Sequence, residues 1–175
     1  MENLDLAAYI RDIPDFPNPG ILFKDITTLI KDPLAFHQAI DRLTEPFTEK
    51  RVDLVVGMES RGFLFAAPLA YKLSAGLVPV RKIGRLPAEA ISASYALEYG
   101  QNTLEIHRDA IEPGQRVLIV DDLLATGGTV RATMELVERL GGSVVGLGFL
   151  VELLYLRGRE KVGDRVPTIS LIQYT

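Results

Sequence analysis

The sequence predicts an α/β fold in which helices cover both faces of a mostly parallel central sheet. Short segments rich in β-branched residues recur along the chain, and stretches with helical spacing separate them. Several of these segments are apolar throughout, as is typical of strands buried on both faces of a parallel sheet. The predicted strands are residues 52–57, 77–81, 116–120, 144–151 and 168–173.

Three helices are predicted before and between these strands. The first begins at Asp32, because an acidic cap followed by proline is typical of a helix start. Its apolar residues recur at helical spacing and are Phe36, Ile40, Leu43 and Phe47. Residues 62–74 predict a second helix, and residues 130–140 predict a third that ends at a Gly-Gly pair.

The chain shows no internal repeat or low-complexity tract, so residues 1–175 are predicted to form one domain. At this length folding buries roughly 70% of the unfolded surface, which is enough for a full core. Residues 1–30 and 82–100 lie outside the strand and helix pattern. We expect them to build a small hood or lid over one edge of the sheet.

Composition excludes several classes of protein. The chain has 19 Lys and Arg against 23 Asp and Glu, a formal charge of −4, which argues against a nucleic-acid partner. No stretch approaches the ~18 apolar residues of a membrane span, so no membrane partner is expected. An acidic N-terminus without an apolar run and the lack of cysteines favour a cytoplasmic location. His37 and His107 have no metal-ligand spacing.

The strongest chemical signal is the segment 117–129, VLIVDDLLATGGT. A buried strand carries two adjacent carboxylates to the sheet edge, and a turn of small residues with two hydroxyls and two glycines then opens a helix. Glycines let the backbone approach a ligand closely, and free N–H groups at a helix start suit a phosphate. Because carboxylates repel phosphate, the acidic pair suits vicinal hydroxyls instead. The segment therefore predicts a ribose 5-phosphate site made of Asp121, Asp122, Ala125, Thr126, Gly127, Gly128 and Thr129.

Two other phosphate motifs can be excluded directly. Residues 57–62 have the glycine spacing of a Walker A loop, but Phe63 and Leu64 stand where Lys and Ser or Thr are required. No G-x-G-x-x-G follows a predicted strand, so the dinucleotide-binding fingerprint is absent as well. The sequence thus disfavours both an ATPase and a dehydrogenase.

The acidic-doublet loop resembles the phosphoribosyl diphosphate signature of type I phosphoribosyltransferases. Its form DDLLATGGT is similar to that of the adenine phosphoribosyltransferases. The other segments that share this resemblance are residues 16–26, 59–63, 81–82, 95–100 and 170–174. The resemblance implies the type I phosphoribosyltransferase fold and a purine-salvage activity that joins adenine to phosphoribosyl diphosphate, giving AMP and pyrophosphate.

The resemblance also implies roles for individual residues. Pyrophosphate would be held by Glu59, Ser60, Arg61, Arg81, Lys82 and Arg85. Adenine would lie against Leu22, Phe23 and Lys24, with the aromatic ring stacked on the base. Glu98, in a flexible catalytic loop at 82–100, would act as the acid–base group at adenine. A non-proline cis peptide bond is expected between Glu59 and Ser60.

The same resemblance implies Mg²⁺, bound mainly through substrate phosphates and ribose hydroxyls, and a homodimer. Two alternatives stay open at this point. The chain could perform the same chemistry on hypoxanthine, guanine, xanthine or orotate, or it could be a non-catalytic regulator that senses phosphoribosyl diphosphate. The segment around Phe23 and the presence of Glu98 favour adenine, and the intact loop at 121–129 argues against a regulator.

Overall fold

The computed structural model describes residues 3–96 and 101–175. The chain divides into two compact units, Met1–Arg42 and Leu43–Thr175. In the first unit a 3₁₀ turn at Leu6–Tyr9 precedes a two-stranded antiparallel sheet and two helices. These elements are β1 (Arg11–Ile13), β2 (Phe23–Asp25), α1 (Thr27–Lys31) and α2 (Pro33–Thr44), the last of which ends in the second unit.

The start of α2 shows why the chain becomes helical at this point. The Asp32 carboxylate accepts hydrogen bonds from the backbone N–H groups of Leu34 and Ala35 at 3.0 and 2.9 Å. These N–H groups have no partner within the helix, so the acidic cap satisfies them. This confirms the helix predicted to begin at Asp32.

The second unit is built on a seven-stranded sheet with the order β5-β6-β4-β3-β7-β8-β9. The five strands from β4 to β9 in this order are parallel, whereas β6 is antiparallel to both β4 and β5. The elements in chain order are β3 (Leu54–Met58), α3 (Gly62–Lys72), β4 (Gly76–Lys82), β5 (Ala90–Ala96), β6 (Gln101–His107), β7 (Arg116–Leu124), α4 (Gly128–Arg139), β8 (Ser143–Leu153), α5 (Gly158–Val162) and β9 (Thr168–Tyr174).

Helices cover both faces of this sheet, as the sequence predicts. Val56 and Ile119 belong to the same buried cluster as Met134 of α4. Neighbouring residues of a strand point to opposite faces. Gly57 accordingly faces α3, where a Cβ atom would lie 2.7 Å from the Ala66 side chain. Helix α3 therefore packs on one face and α4 on the other.

The structure differs from the predicted elements in the segment 82–100. Residues 90–96 form β5, which pairs along its whole length with β6, and neither strand is predicted by its own pattern. The residues of β5 are small and polar, such as Ser92 and Ser94, and this local pattern predicts a loop. Pairing with β6 makes them a strand. Residues 97–100 lie outside the described part of the chain.

None of the helices in the described part of the chain combines the length and apolar character that a membrane crossing requires.

An ionic network around the buried Glu152 joins β8, α5 and β9. The Glu152 side chain is only 3% exposed, and its carboxylate accepts hydrogen bonds from Arg159 at 2.8 and 2.7 Å. Gln173 of β9 donates a further bond to Glu152 at 3.1 Å. The Arg159 guanidinium holds the pKa of Glu152 below its ordinary value of 4.5. This network fixes α5 against the sheet.

We expect Glu152→Gln to lower the free energy of unfolding by about 2 kcal/mol at neutral pH, because it leaves Arg159 without its charged partner. The folded-state pKa of Glu152 is depressed, so its contribution is complete above 4.5 and is lost as pH falls through the lower folded-state pKa. The difference between parent and variant should therefore shrink on acidification. Urea denaturation at neutral and acidic pH measures this, and equal midpoints at neutral pH would contradict it.

Candidate active site

A cavity of about 240 Å³ opens at the carboxyl ends of β3 and β7. Ligands of open α/β sheets bind at this edge, where strands turn into helix N-termini. The cavity is lined by two loops, 59–61 and 121–130, together with Lys82, Tyr95 and Leu104. It therefore contains the acidic-doublet loop and the segment after β3 that the sequence singles out.

The turn between β7 and α4 forms a cradle, which we define as residues 125–129. Gly127 has a φ of +78°, a left-handed conformation that glycine adopts without a steric cost. A Cβ atom on Gly127 would also lie 2.5 Å from the carbonyl oxygen of Gly158. The cradle thus packs tightly on α5 at its back, while the N-terminus of α4 opens towards the cavity.

The acidic pair lies beside the cradle, with Asp122 buried and Asp121 half-buried. Asp122 forms an ion pair with Arg61 at 2.9 Å, and one oxygen of Asp121 accepts the backbone N–H of Asp122 at 2.9 Å. Burial and the neighbouring Asp122 carboxylate raise the pKa of Asp121 well above its ordinary value. Burial also raises the pKa of Asp122, although Arg61 opposes this. Such a pair favours a ligand that brings hydroxyl donors or positive charge.

The loop after β3 contains a cis peptide bond between Glu59 and Ser60, which confirms that prediction. The Glu59 carboxylate accepts two hydrogen bonds from Arg81, at 3.0 and 3.2 Å, and one from the Lys82 N–H at 3.0 Å. The Arg81 guanidinium holds the pKa of Glu59 below its ordinary value. Glu59 is thus an ionised anchor that ties the loop to β4.

Comparison with known proteins decides the family. The phosphoribosyl transferase domain model matches residues 27–168. The chain is 59% identical to adenine phosphoribosyltransferase of Chloroflexus aurantiacus over 99% of this chain and 100% of that protein. The chain belongs to the adenine phosphoribosyltransferase family.

Two solved structures of the family show the same fold. The crystal structure of the enzyme from Thermoanaerobacter pseudethanolicus has a TM-score of 0.93 and 55% identity, covering 97% of this chain and 98% of that one. That of the Saccharomyces cerevisiae enzyme, complexed with an imino-altritol bisphosphate and adenine, has a TM-score of 0.89 and 43% identity, covering 95% and 96%. The predicted type I phosphoribosyltransferase fold is therefore confirmed.

Most of the phosphoribosyltransferase site predicted from sequence comes together around one cavity. The predicted residues that line it are Glu59, Ser60, Arg61, Lys82, Asp121, Asp122, Ala125, Thr126, Gly127, Gly128 and Thr129. Arg81 and Arg85 are not among its lining residues. The Arg81 guanidinium instead contacts Glu59 and donates to the Arg85 carbonyl oxygen at 3.0 Å. Their pyrophosphate-binding roles stay predictions.

The segment that the family resemblance assigns to adenine lies in the first unit. The Phe23 ring packs edge-on against Phe16, with ring centroids 5.1 Å apart. Leu22 is 46% exposed, and the Lys24 ammonium forms an ion pair with Asp12 at 2.7 Å. The hairpin therefore presents an aromatic pair and an exposed aliphatic side chain. Glu98, the predicted acid–base group, lies outside the described residues.

Neither Tyr95, which lines the cavity, nor Gly158, which packs on the cradle, was given a role by sequence reasoning. Tyr95 lies against Gly128, where a Cβ atom would be 2.7 Å from the tyrosine ring. Gly158 lies behind the cradle, and a Cβ atom there would be 2.2 Å from the Ala125 carbonyl oxygen. Neither residue stands in a phosphate-binding pattern, and each approaches the cradle from more than 30 positions away in sequence. A local signal for either one is therefore lacking.

Proposed function

We propose that the chain transfers the phosphoribosyl group of phosphoribosyl diphosphate to adenine, forming AMP and pyrophosphate. One observation carries this proposal: a cavity that combines an acidic pair with a glycine-rich helix start, in a chain of the adenine phosphoribosyltransferase family. The related yeast enzyme has been crystallised with adenine, which supports the same base here. Adenine salvage to AMP is the function that follows.

The acidic pair and the cradle bind different parts of ribose 5-phosphate. Asp121 and Asp122 accept hydrogen bonds from the 2′ and 3′ hydroxyls, whereas the N–H groups at the start of α4 bind the 5′-phosphate. When pyrophosphate leaves, positive charge develops on the ribose ring. Buried carboxylates beside the ring stabilise that charge in the transition state. The close ion pair between Arg61 and Asp122 keeps the acidic pair oriented.

Pyrophosphate is assigned to the loop after β3 and to the end of β4. Ser60, Arg61 and Lys82 line the cavity on that side, and backbone N–H groups and cations suit an anionic leaving group. Arg81 supports this loop through Glu59. Arg85 is proposed to add charge near the same loop, as the family resemblance implies.

The residues present also fit Mg²⁺ that arrives with the substrate. Within residues 3–96 and 101–175, no group of three or more His, Asp or Glu side chains is placed to hold a metal ion. Of the carboxylates that line the cavity, Glu59 is paired with Arg81, whereas Asp121 and Asp122 lie beside the cradle and are hard oxygen ligands of the kind Mg²⁺ prefers. They would hold the ion through ribose hydroxyls and water. When bound, Mg²⁺ offsets the negative charge of pyrophosphate.

The remaining assignments rest on the family resemblance. We propose that residues 1–30 form the base-binding hood, with adenine against Leu22, Phe23 and Lys24, and that the segment 82–100, which includes β5, carries the acid–base group Glu98. A homodimer and a cytoplasmic location are likewise proposed. Phosphoribosyl transfer to another base is the second candidate, because a ribose-phosphate cradle does not by itself select the base, but the relatives do not favour it. A regulator that senses phosphoribosyl diphosphate is disfavoured, because the acidic pair, the cradle and the loop after β3 line one cavity.

Adenine is expected to be used at least about a hundredfold better than hypoxanthine, measured as kcat/KM. A site that hydrogen-bonds the exocyclic amine of adenine leaves buried groups unpaired with the oxo analogue. A coupled assay of pyrophosphate release, with each base offered in turn at saturating phosphoribosyl diphosphate, measures the ratio. Comparable kcat/KM values for adenine and hypoxanthine would favour the second candidate. No release with any base would leave a regulator as the explanation.

A further inference from the structure

Tyr95 occupies a position at the cradle that the proposed function does not use. It lies near the end of β5 and lines the cavity together with Gly128 and Thr129. Its ring is in close contact with Gly128, since a Cβ atom there would lie 2.7 Å from Cδ2 of the tyrosine. The phenol group therefore stands at the N-terminus of α4, within hydrogen-bond distance of Thr129.

The hydrogen bonds of the phenol oxygen can be counted. It accepts from the Thr129 hydroxyl at 2.9 Å and from the Asn102 side-chain amide at 3.4 Å. A tyrosine hydroxyl accepts up to two hydrogen bonds and donates one. Within residues 3–96 and 101–175 the Tyr95 oxygen accepts in both of its hydrogen bonds, and its O–H donates to no other group. The proton of this hydroxyl is thus available to a ligand.

This arrangement changes what Thr129 can offer to a phosphate. A phosphate group accepts hydrogen bonds and has no proton to give when fully ionised. The Thr129 hydroxyl has one proton, and it donates this proton in a hydrogen bond to the Tyr95 oxygen. Two hydroxyls have two protons, and one of these is used in the hydrogen bond between them. One proton therefore remains for donation to a third group. In the described geometry the donor at this corner of the cradle is Tyr95.

We propose that Tyr95 is a ligand of the 5′-phosphate, donating its phenol O–H to a phosphate oxygen while its oxygen orients the Thr129 hydroxyl. This inference rests on the proposed function, because it takes the cradle as the site of ribose 5-phosphate. It adds a tyrosine from β5 to a site otherwise formed by the turn before α4. The chemical class recognised is a phosphomonoester, and the pyrophosphate side of the cavity is not involved.

The test is isothermal titration calorimetry with ribose 5-phosphate and, separately, with pyrophosphate. Tyr95→Phe removes the O–H and keeps the ring that packs on Gly128, so the fold should be retained. We expect ribose 5-phosphate to bind Tyr95→Phe about tenfold more weakly than the parent, as is usual for one lost hydrogen bond to a charged group. Pyrophosphate affinity should be unchanged.

Ser94→Ala is the matched control, because it removes a hydroxyl from the adjacent position of β5 that pairs with Thr103 at 2.8 Å. It should leave both affinities as in the parent. If the parent binds ribose 5-phosphate and Tyr95→Phe binds it equally well, the role of Tyr95 is overturned and the proposed function stands. Equal losses for both ligands would also overturn it, since they indicate a general distortion. Failure of the parent itself to bind ribose 5-phosphate would overturn the proposed function.

Discussion

Replacing Gly158 by alanine is expected to weaken ribose 5-phosphate binding by roughly 10²-fold, although Gly158 lies behind the cradle. A Cβ atom at this position would lie 2.2 Å from the Ala125 carbonyl oxygen and 3.0 Å from the Gly127 nitrogen. Both atoms belong to the backbone, so no side-chain rotation relieves the clash.

The clash is expected to displace the cradle and to leave α5 in place, because α5 is anchored to the sheet. Arg159 follows Gly158 and is held by the buried Glu152, so the cradle is expected to move more readily than the helix. Displaced N–H groups lose charged hydrogen bonds to phosphate worth about 1.5–3 kcal/mol each, and two such losses account for the expected effect. Calorimetry with ribose 5-phosphate measures it.

Two other glycine substitutions separate this effect from a loss of stability. In Gly148→Ala the nearest atoms to the new Cβ are 3.8 Å away, so stability and binding should both resemble the parent. In Gly146→Ala the new Cβ would lie 2.2 Å from the Phe47 ring, so the melting temperature should fall while the phosphate affinity is retained in the folded protein. Parent-like affinity in Gly158→Ala would show that the cradle does not depend on this contact.

Glu98→Leu is expected to lower kcat by roughly 10²-fold or more, the usual range for losing an acid–base catalyst. The attacking nitrogen of adenine becomes less negative as it bonds to ribose, and in the reverse reaction the leaving base must be protonated. One carboxyl group beside the ring serves both directions. The affinity for phosphoribosyl diphosphate should change little, because the ribose-phosphate cradle is untouched. Steady-state kinetics with adenine and then AMP varied measures both directions.

Glu89→Leu provides the control for this substitution. The Glu89 side chain is 88% exposed and forms a long surface ion pair with Arg108, at 3.6 Å. Removing it should leave kcat as in the parent, since exposed pairs contribute little. A Glu98→Leu enzyme within about threefold of the parent kcat in both directions would exclude Glu98 as the acid–base group.

The sequence by itself determined the parallel strands and which residues make up the predicted phosphate site. β7 could be predicted because a run of buried β-branched residues is a local pattern. Asp121 to Thr129 could be predicted as a ribose-phosphate site because strand, acids, glycines and helix start are consecutive in the chain. The cis bond after Glu59 followed from family resemblance. Each of these features depends on residues close together in sequence, which is why a pattern reveals them.

Only the tertiary structure decided which distant residues complete the site. β5 becomes a strand through its pairing with β6, since its own residues lack a strong strand pattern. Tyr95 reaches Thr129, and Gly158 reaches Ala125, across 34 and 33 positions of sequence. The sequence shows no partner for the Arg81 guanidinium, whereas in the structure it forms an ion pair with Glu59. Such contacts depend on where the sheet places each strand end, and a local pattern contains no record of that placement.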